Sequence, residues 1–333
     1  MKKMIYAIMV LTILLGFNLK AEAASMDYGV KSILPENQLN KNVTYYDLKM
    51  KPGETQQVEL LFENNATETV TLNTKIHTAS TNANGVIDYS RNLKKQDESM
   101  KYQIADYVKG PKTVTLKAKE TRKVAYTITM PKHSFDGILL GGFHVSKEKS
   151  KAEEKKEQGQ QIKNEFAYVI GLKLTETNKK IKPELKLIDV KPALENYHTV
   201  VKAFIQNPTA SIISDLKIEA QVTKKDSKTV LHEIKKENYA MAPNTNFGFA
   251  IPWDNQELKP GKYTVSVKAE DKTKEKWEFT RDFEIKKEAE SLNKEAVDIE
   301  KPFPWGWTIA GGIVLLAIIA GAVYFIIKKR RKN

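Results

Sequence analysis

The 333-residue chain contains no cysteine. That excludes a disulfide framework, a thiolate metal site and a cysteine nucleophile, so each folded unit must stand on its apolar core alone. Metal signatures are missing as well. The five histidines are His77, His133, His144, His198 and His232, and none stands at ligand spacing from another. The chain has no H-E-x-x-H, no G-x-S-x-G and no glycine loop of the phosphate-cradling kind. No cofactor is expected, and the chain reads as a binding protein rather than an enzyme. The interior also lacks a basic stripe with interleaved aromatics, so nucleic acid is not an expected partner. Of the net charge of +13, the first 24 residues hold +2 and the last six hold +5, leaving +6 scattered over the middle of the chain.

Strongly apolar segments occur only at the two ends. Lys2 and Lys3 precede an uncharged stretch from Met4 to Phe17, and Ala21 and Ala23 supply the small residues of a cleavage site. Residues 1–23 are therefore expected to be a signal peptide. At the other end Trp305 to Ile327 is free of charge for 23 residues, where about 20 suffice to cross a bilayer. The basic run 328–333 follows directly, which keeps that tail in the cytoplasm and the preceding chain outside. The expected location is the cell membrane, with a single pass at 305–327, an extracellular ectodomain within the wall, and a cytoplasmic C-terminus. A cysteine-free exported chain with a membrane tether suits a bacterial surface with one membrane and a thick wall.

Between the ends, apolar residues alternate over short runs bounded by Pro, Gly, Asn and Asp. Val58, Leu60 and Phe62 share a face, as do Val201, Ala203 and Ile205, and Phe247, Phe249, Ile251 and Trp253. No long helical period appears. The reading is all-β: two tandem immunoglobulin-like β-sandwiches followed by a single C-terminal transmembrane helix. Two echoes support the tandem. Val58-x-Leu60-x-Phe62-x-Asn64 matches Val201-x-Ala203-x-Ile205-x-Asn207, and Lys51-Pro52-Gly53 matches Lys259-Pro260-Gly261. The sandwiches are expected at 25–177 and 181–287, with a spacer at 288–304. The charged, aromatic-free run 146–161 cannot bury apolar surface and is read as the tip of a hairpin within the first sandwich.

The first half resembles the peptidoglycan-binding domain of the WxL-interacting protein family of Gram-positive surface proteins. The resemblance rests on Leu34-Pro35-Glu36-Asn37-Gln38, Tyr45-Tyr46-Asp47-Leu48, Pro52-Gly53-Glu54-Thr55, Thr81 through Tyr89, Pro131, Phe135-Asp136-Gly137 and Gly141-Gly142. Phe166 to Gly171 and Asn207-Pro208-Thr209 are similar to the family's second, host-binding domain. The resemblance implies peptidoglycan as one partner and a WxL-domain surface protein or host extracellular protein as the other, with no enzymatic activity. A surface receptor is the rival reading, and a wall hydrolase would need a catalytic cluster that the sequence does not display.

Glycan recognition uses rings that stack on sugar faces and amides that bond hydroxyls and acetamides. Asn37, Gln38, Tyr45, Tyr46 and Asp47 bring both together in the most specific segment of the resemblance and are the expected peptidoglycan contacts. One of the two tyrosines must point outward, because successive strand side chains face opposite sides. The competing reading makes Pro35 to Gln38 a turn and the inward tyrosine part of the core. Asn82, Asn84 and Asp88 read as turn formers, Gly137, Gly141 and Gly142 as backbone requirements, and the Phe247 to Trp253 face as core.

Overall fold

The structure is a computed structural model that describes residues 27–148 and 166–297, with isolated positions 299, 318 and 321 beyond them. The expected signal peptide, most of the charged run, and the expected membrane helix and basic tail lie outside the described residues, apart from Ile318 and Gly321, which are helical. Among the described residues no helix is long and apolar enough to cross a membrane.

Period-2 alternation builds two sandwiches. In the first, β1 (Tyr28–Ile33), β3 (Thr55–Asn64), β9 (Thr121–Thr129) and β7 (Val108–Lys109) form one sheet in that order. The facing sheet runs β2 (Tyr46–Lys49), β11 (Ala167–Thr175), β10 (Leu139–Lys147), β4 (Val70–Thr78), β8 (Thr113–Leu116). Only β2 and β11 pair in parallel. The strands that flank the charged run are neighbours, in register from Leu139 opposite Leu174 to Ser146 opposite Ala167. The second sandwich pairs β12 (Lys186–Glu195), β13 (His198–Asn207) and β16 (Thr245–Pro252) against β15 (Val230–Met241), β14 (Ile213–Lys224), β17 (Gly261–Glu270) and β18 (Lys276–Ile285). Setting aside β2 and β7, the strand orders are the same, three strands over four, which is an immunoglobulin-like arrangement.

Aromatic clusters fill both cores where other sandwiches of this type place a disulfide. Phe143 meets Tyr126 edge-on at 4.9 Å and Tyr46 at 6.0 Å. In the second core Tyr263 packs between Trp253 at 5.5 Å and Phe283 at 5.6 Å. Phe247, Phe249, Ile251 and Trp253 are all buried, as the alternation requires.

The Asn64 and Asn207 echo has a shared physical cause. Each ends the second strand of its sandwich and is buried. The Asn64 side chain donates to the Glu68 and Lys117 carbonyls at 2.8 Å and accepts from the Ala66 amide at 2.9 Å. Asn207 donates to the Ser211 and Ala242 carbonyls at 2.8 and 3.0 Å and accepts from the Thr209 amide at 3.1 Å. One amide thus closes a turn and ties it to a neighbouring loop, satisfying groups that burial would otherwise leave bare. The Pro-Gly echo is different. Pro52-Gly53 precedes β3 and Pro260-Gly261 leads into β17, which occupy different places in the repeated order, so the match is local turn chemistry and not duplication.

The two sandwiches are clasped. After β4 the chain runs on into a small hairpin of β5 (Ser80–Thr81) and β6 (Ile87–Asp88), with Asn82 Oδ1 accepting the amides of Asn84 and Val86 across the turn. Thr81 Oγ1 accepts the Ala242 amide at 3.0 Å and lies 2.7 Å from Thr245 Oγ1, which donates to the Ala242 carbonyl at 2.8 Å. Gly85, at φ +66°, receives the Ala240 amide on its carbonyl at 2.7 Å and lies under the Tyr239 ring, where a Cβ would stand 2.0 Å from ring carbon. Gly137, at φ +94°, passes equally close to Ala210. A small apolar cluster of Ala79, Leu140 and Ala242, with Ile87, Tyr89, Ile138 and Ile212 against it, seals the contact. At its margin Asp97 accepts from Gln206 at 2.8 Å and from Asn246 at 2.5 Å.

The segment 288–304, expected as a spacer, starts with a docked turn and helix. Ala289 is buried, and α1 (Glu290–Glu295) carries Asn293, whose side chain accepts the Leu258 amide at 2.9 Å.

Burial by itself would raise the Asp97 carboxyl, but hydrogen bonds from Ser99, Asn246 and Gln206 outweigh it and hold the group below the usual carboxylate range. A carboxyl lowered in the folded state contributes stability above its unfolded pKa of about 3.9, and that contribution is lost as pH falls through the folded value. Asp97→Asn should therefore melt below wild type at neutral pH, and the gap should close as pH falls below the unfolded carboxyl pKa of about 3.9. Thermal melting of the ectodomain across that range checks this, and a gap independent of pH would refute it.

Candidate functional site

The segment carrying the expected contacts enters β2 at the edge of the five-stranded sheet. Tyr46 points inward and is fully buried. Its hydroxyl donates to the Glu59 carbonyl, and burial pushes its pKa far up. Gln38 is also buried. It donates to the carbonyls of Asn40 at 3.0 Å and Tyr45 at 2.8 Å and accepts the Asp47 amide at 3.1 Å, so its amide staples the loop to β2. Asp47 is buried on the sheet's outer side in an ion pair with Lys173 at 3.1 Å. Asn37 is exposed and makes a reciprocal amide pair with Gln56, 2.9 Å each way. Tyr45 is the outward tyrosine, 37% exposed. Of the five residues, two therefore face solvent with recognition chemistry, Asn37 and Tyr45, while Gln38, Tyr46 and Asp47 hold them in place.

Register explains what surrounds Tyr45. Gly142 on β10 stands opposite Gly171 on β11 and opposite His77 on β4. The two glycines leave a strip of the outer face without side chains, and tyrosines occupy it. A Cβ on Gly171 would lie 3.3 Å from the Tyr45 Cβ, and one on Gly142 would lie 3.3 Å from the Tyr89 ring. Burial, and secondarily Tyr45, pushes the Tyr89 hydroxyl up to about 12. Beside the strip His77 bonds the Tyr89 carbonyl at 2.7 Å and stacks on His144 at 5.4 Å. Burial, then His77 and Lys75, hold His144 below the usual imidazole range, so the ring is neutral at neutral pH. Its Nδ1 is enclosed without a hydrogen-bond partner among the described residues. The face thus offers two tyrosine rings on a flat floor, with a neutral imidazole alongside.

Of the residues on this face, sequence reasoning singled out Tyr45 but not Tyr89, His77 or His144. Tyr89 lay at the end of the Thr81 to Tyr89 motif, whose polar residues are turn formers, as expected. The paired glycines were a visible signal, but pairing Gly142 with Gly171 needs the register of β10 on β11. Elsewhere, His232 is buried against Trp253 with Nδ1 2.7 Å from Asp254, and no group of three or more metal-ligating side chains occurs among the described residues.

Two immunoglobulin-like domains, with a sugar-compatible aromatic face on the first, define a modular binding protein. Comparison with known families agrees. Residues 28–147 match the WxL Interacting Protein peptidoglycan binding domain, and 157–294 match the WxL Interacting Protein host binding domain. Together they cover well over half of the chain, and the chain belongs to this family: a surface binding protein with a peptidoglycan-binding domain followed by a host-binding domain. The second match starts ahead of β11, a strand that is hydrogen-bonded into the first sandwich. No curated protein matches the chain significantly. Solved structures with a similar fold include the CupB2 chaperone of Pseudomonas aeruginosa (13% identity, 69% of this chain and 94% of that one, TM-score 0.29). The E. coli chaperone DraB gives 13% identity over 79% of this chain and 98% of that one, with TM-score 0.28. A PapD-like domain of human CEP192 gives 16% over 47% and 89%, with TM-score 0.27.

The different placements of the two tyrosines give a stability test. Tyr46→Ala empties a packed core site and should cost about 3–5 kcal/mol, whereas Tyr45→Ala should stay within about 0.5 kcal/mol of wild type. Urea unfolding of the ectodomain checks both, and equal losses would contradict this placement.

Proposed function

We propose that this protein is tethered to the membrane by 305–327, with its basic tail cytoplasmic, and grips wall peptidoglycan through the outer face of its first domain. The second domain holds a WxL-domain protein or a host extracellular ligand. The observation that carries the wall-binding reading is the exposed Tyr45 ring beside Tyr89 on the side-chain-free strip of Gly142 and Gly171. A flat sugar face stacks on such rings, and the glycines beneath let the rings lie close against the sheet. Asn37 offers an exposed amide, which can break its pair with Gln56 in favour of a sugar acetamide. Gln38, Tyr46 and Asp47 act by fixing the loop and β2 through the Gln38 bonds, the buried ring and the Lys173 pair. Tethering multiplies wall contact and partner contact by effective concentration wherever geometry lets both engage.

The test uses the ectodomain, residues 25–297, sedimented with purified insoluble peptidoglycan and, in parallel, captured on an immobilised WxL domain. Tyr45→Ala should reduce sedimentation about tenfold, in line with the upper end of roughly 0.5–1.5 kcal/mol for a lost aromatic contact, and leave WxL capture unchanged. Wild-type ectodomain that stays in solution with peptidoglycan would sink the wall-binding reading.

The membrane assignment has its own check. Deleting residues 305–333 should release a folded protein to the medium, and its retention in the membrane fraction would refute the anchor.

A further inference from the structure

The sheet that carries the tyrosines is incomplete at its other side. Strand β8 pairs only with Val70 to Asn73 of β4, while β10 pairs with β4 as far as Thr78. Thr74, Ile76 and Thr78 turn their backbone groups away from β10 toward this unpaired stretch. The Thr74 amide reaches the Lys112 carbonyl at 2.8 Å. Farther along, the Asn92 side chain stands in for a strand, accepting the Thr78 amide at 2.8 Å and donating to the Ile76 carbonyl at 3.3 Å. Between these two contacts the Ile76 amide faces a groove of about 620 Å³. This is a short gap in a ladder, capped at both ends, where one backbone amide is left to hold a carbonyl of a bound peptide.

The groove's walls narrow the ligand's chemistry. Lys75, Lys109 and Lys112 line it, all exposed, and none of them is in an ion pair among the described residues. Asp106 is the only carboxylate in the lining. Asn73 adds an amide, and Thr74, itself buried, turns its hydroxyl toward that of Tyr126. Cations on both banks call for a ligand bearing carboxylates, and the Ile76 amide and the Asn73 side chain call for peptide groups between them. A phosphodiester chain would satisfy the lysines but leave the strand edge empty.

We propose that this groove binds the carboxylate-bearing peptide stems of the wall polymer, with a stem carbonyl on the Ile76 amide and the stem carboxylates on the lysines. The proposal rests on the wall-binding reading of the first domain and gives the glycan face a companion site for the peptide, reached across β4 from His77, which borders both.

The experiment titrates the ectodomain, residues 25–297, with a synthetic N-acetylated wall-type pentapeptide ending in D-Ala-D-Ala. The same peptide with its carboxylates amidated and an oligomer of glycerol phosphate form the other arms. The free peptide should bind and shift the Ile76 amide resonance, and amidation should weaken it about tenfold. The triple variant Lys75→Gln, Lys109→Gln, Lys112→Gln should weaken it similarly, while Lys51→Gln, Lys117→Gln, Lys123→Gln, of equal net charge, should not. Tighter binding of the phosphate oligomer, an unmoved Ile76 resonance, or equal loss in both triple variants would overturn the proposal. Failure of wild type to sediment with peptidoglycan while the free peptide still shifts Ile76 would instead count against the wall-binding reading alone.

Discussion

Two hydroxyls, Thr81 in the first domain and Thr245 in the second, close a ring of hydrogen bonds through the backbone of Ala242, and the arrangement of the two domains depends on it. Ala242 gives its amide proton to Thr81, and Thr245 gives its own proton to the Ala242 carbonyl, so the proton between the two oxygens belongs to Thr81. All three residues are buried, which makes each unmade bond costly and the closed ring specific. Asn207 donates to the same Ala242 carbonyl, so the turn that ends β13 and the clasp share an acceptor. Any movement of one sandwich against the other would break several of these bonds together.

The clasp also builds the candidate site. Tyr89 follows β6 directly, so the hairpin that enters the second domain is what lays Tyr89 over Gly142. Ile87 and Tyr89 themselves pack into the apolar seam between domains. Domain contact and the tyrosine face are thus parts of one element, and the Thr81 to Tyr89 motif serves both by its backbone geometry. The buried members of the predicted site act in the same way. Gln38 bonds only backbone groups and Tyr46 fills the core, and both fix the position of Tyr45.

The absence of cysteine sets the terms for both cores. Without a covalent bridge between sheets, cohesion rests on edge-on aromatic contacts around Phe143 and Tyr263 and on two buried asparagines that close equivalent turns. Each buried aromatic of this size contributes roughly 1.5–3 kcal/mol by leaving water. The pattern Val-x-Leu-x-Phe-x-Asn, met again as Val-x-Ala-x-Ile-x-Asn, is the imprint of that solution on the chain. The Pro-Gly pair that also recurs serves turns in unrelated places, because such dipeptides answer a local need of the backbone wherever it arises.

The sequence by itself determined the all-β class, the two cores and the fact that one of the two adjacent tyrosines faces outward, because alternation along a strand is a local property read residue by residue. It also determined the family, through turn and strand-entry residues that are close together in the chain. The tertiary structure alone decided that Tyr45, Tyr89, Gly142 and Gly171 meet on one face, that Thr81 belongs to a joint, and that β4 has an open edge beside three lysines. These depend on which strand lies beside which and in what register. Register and strand order are set by the packing of the whole sheet, and one step of slip would turn every one of those side chains to the other face.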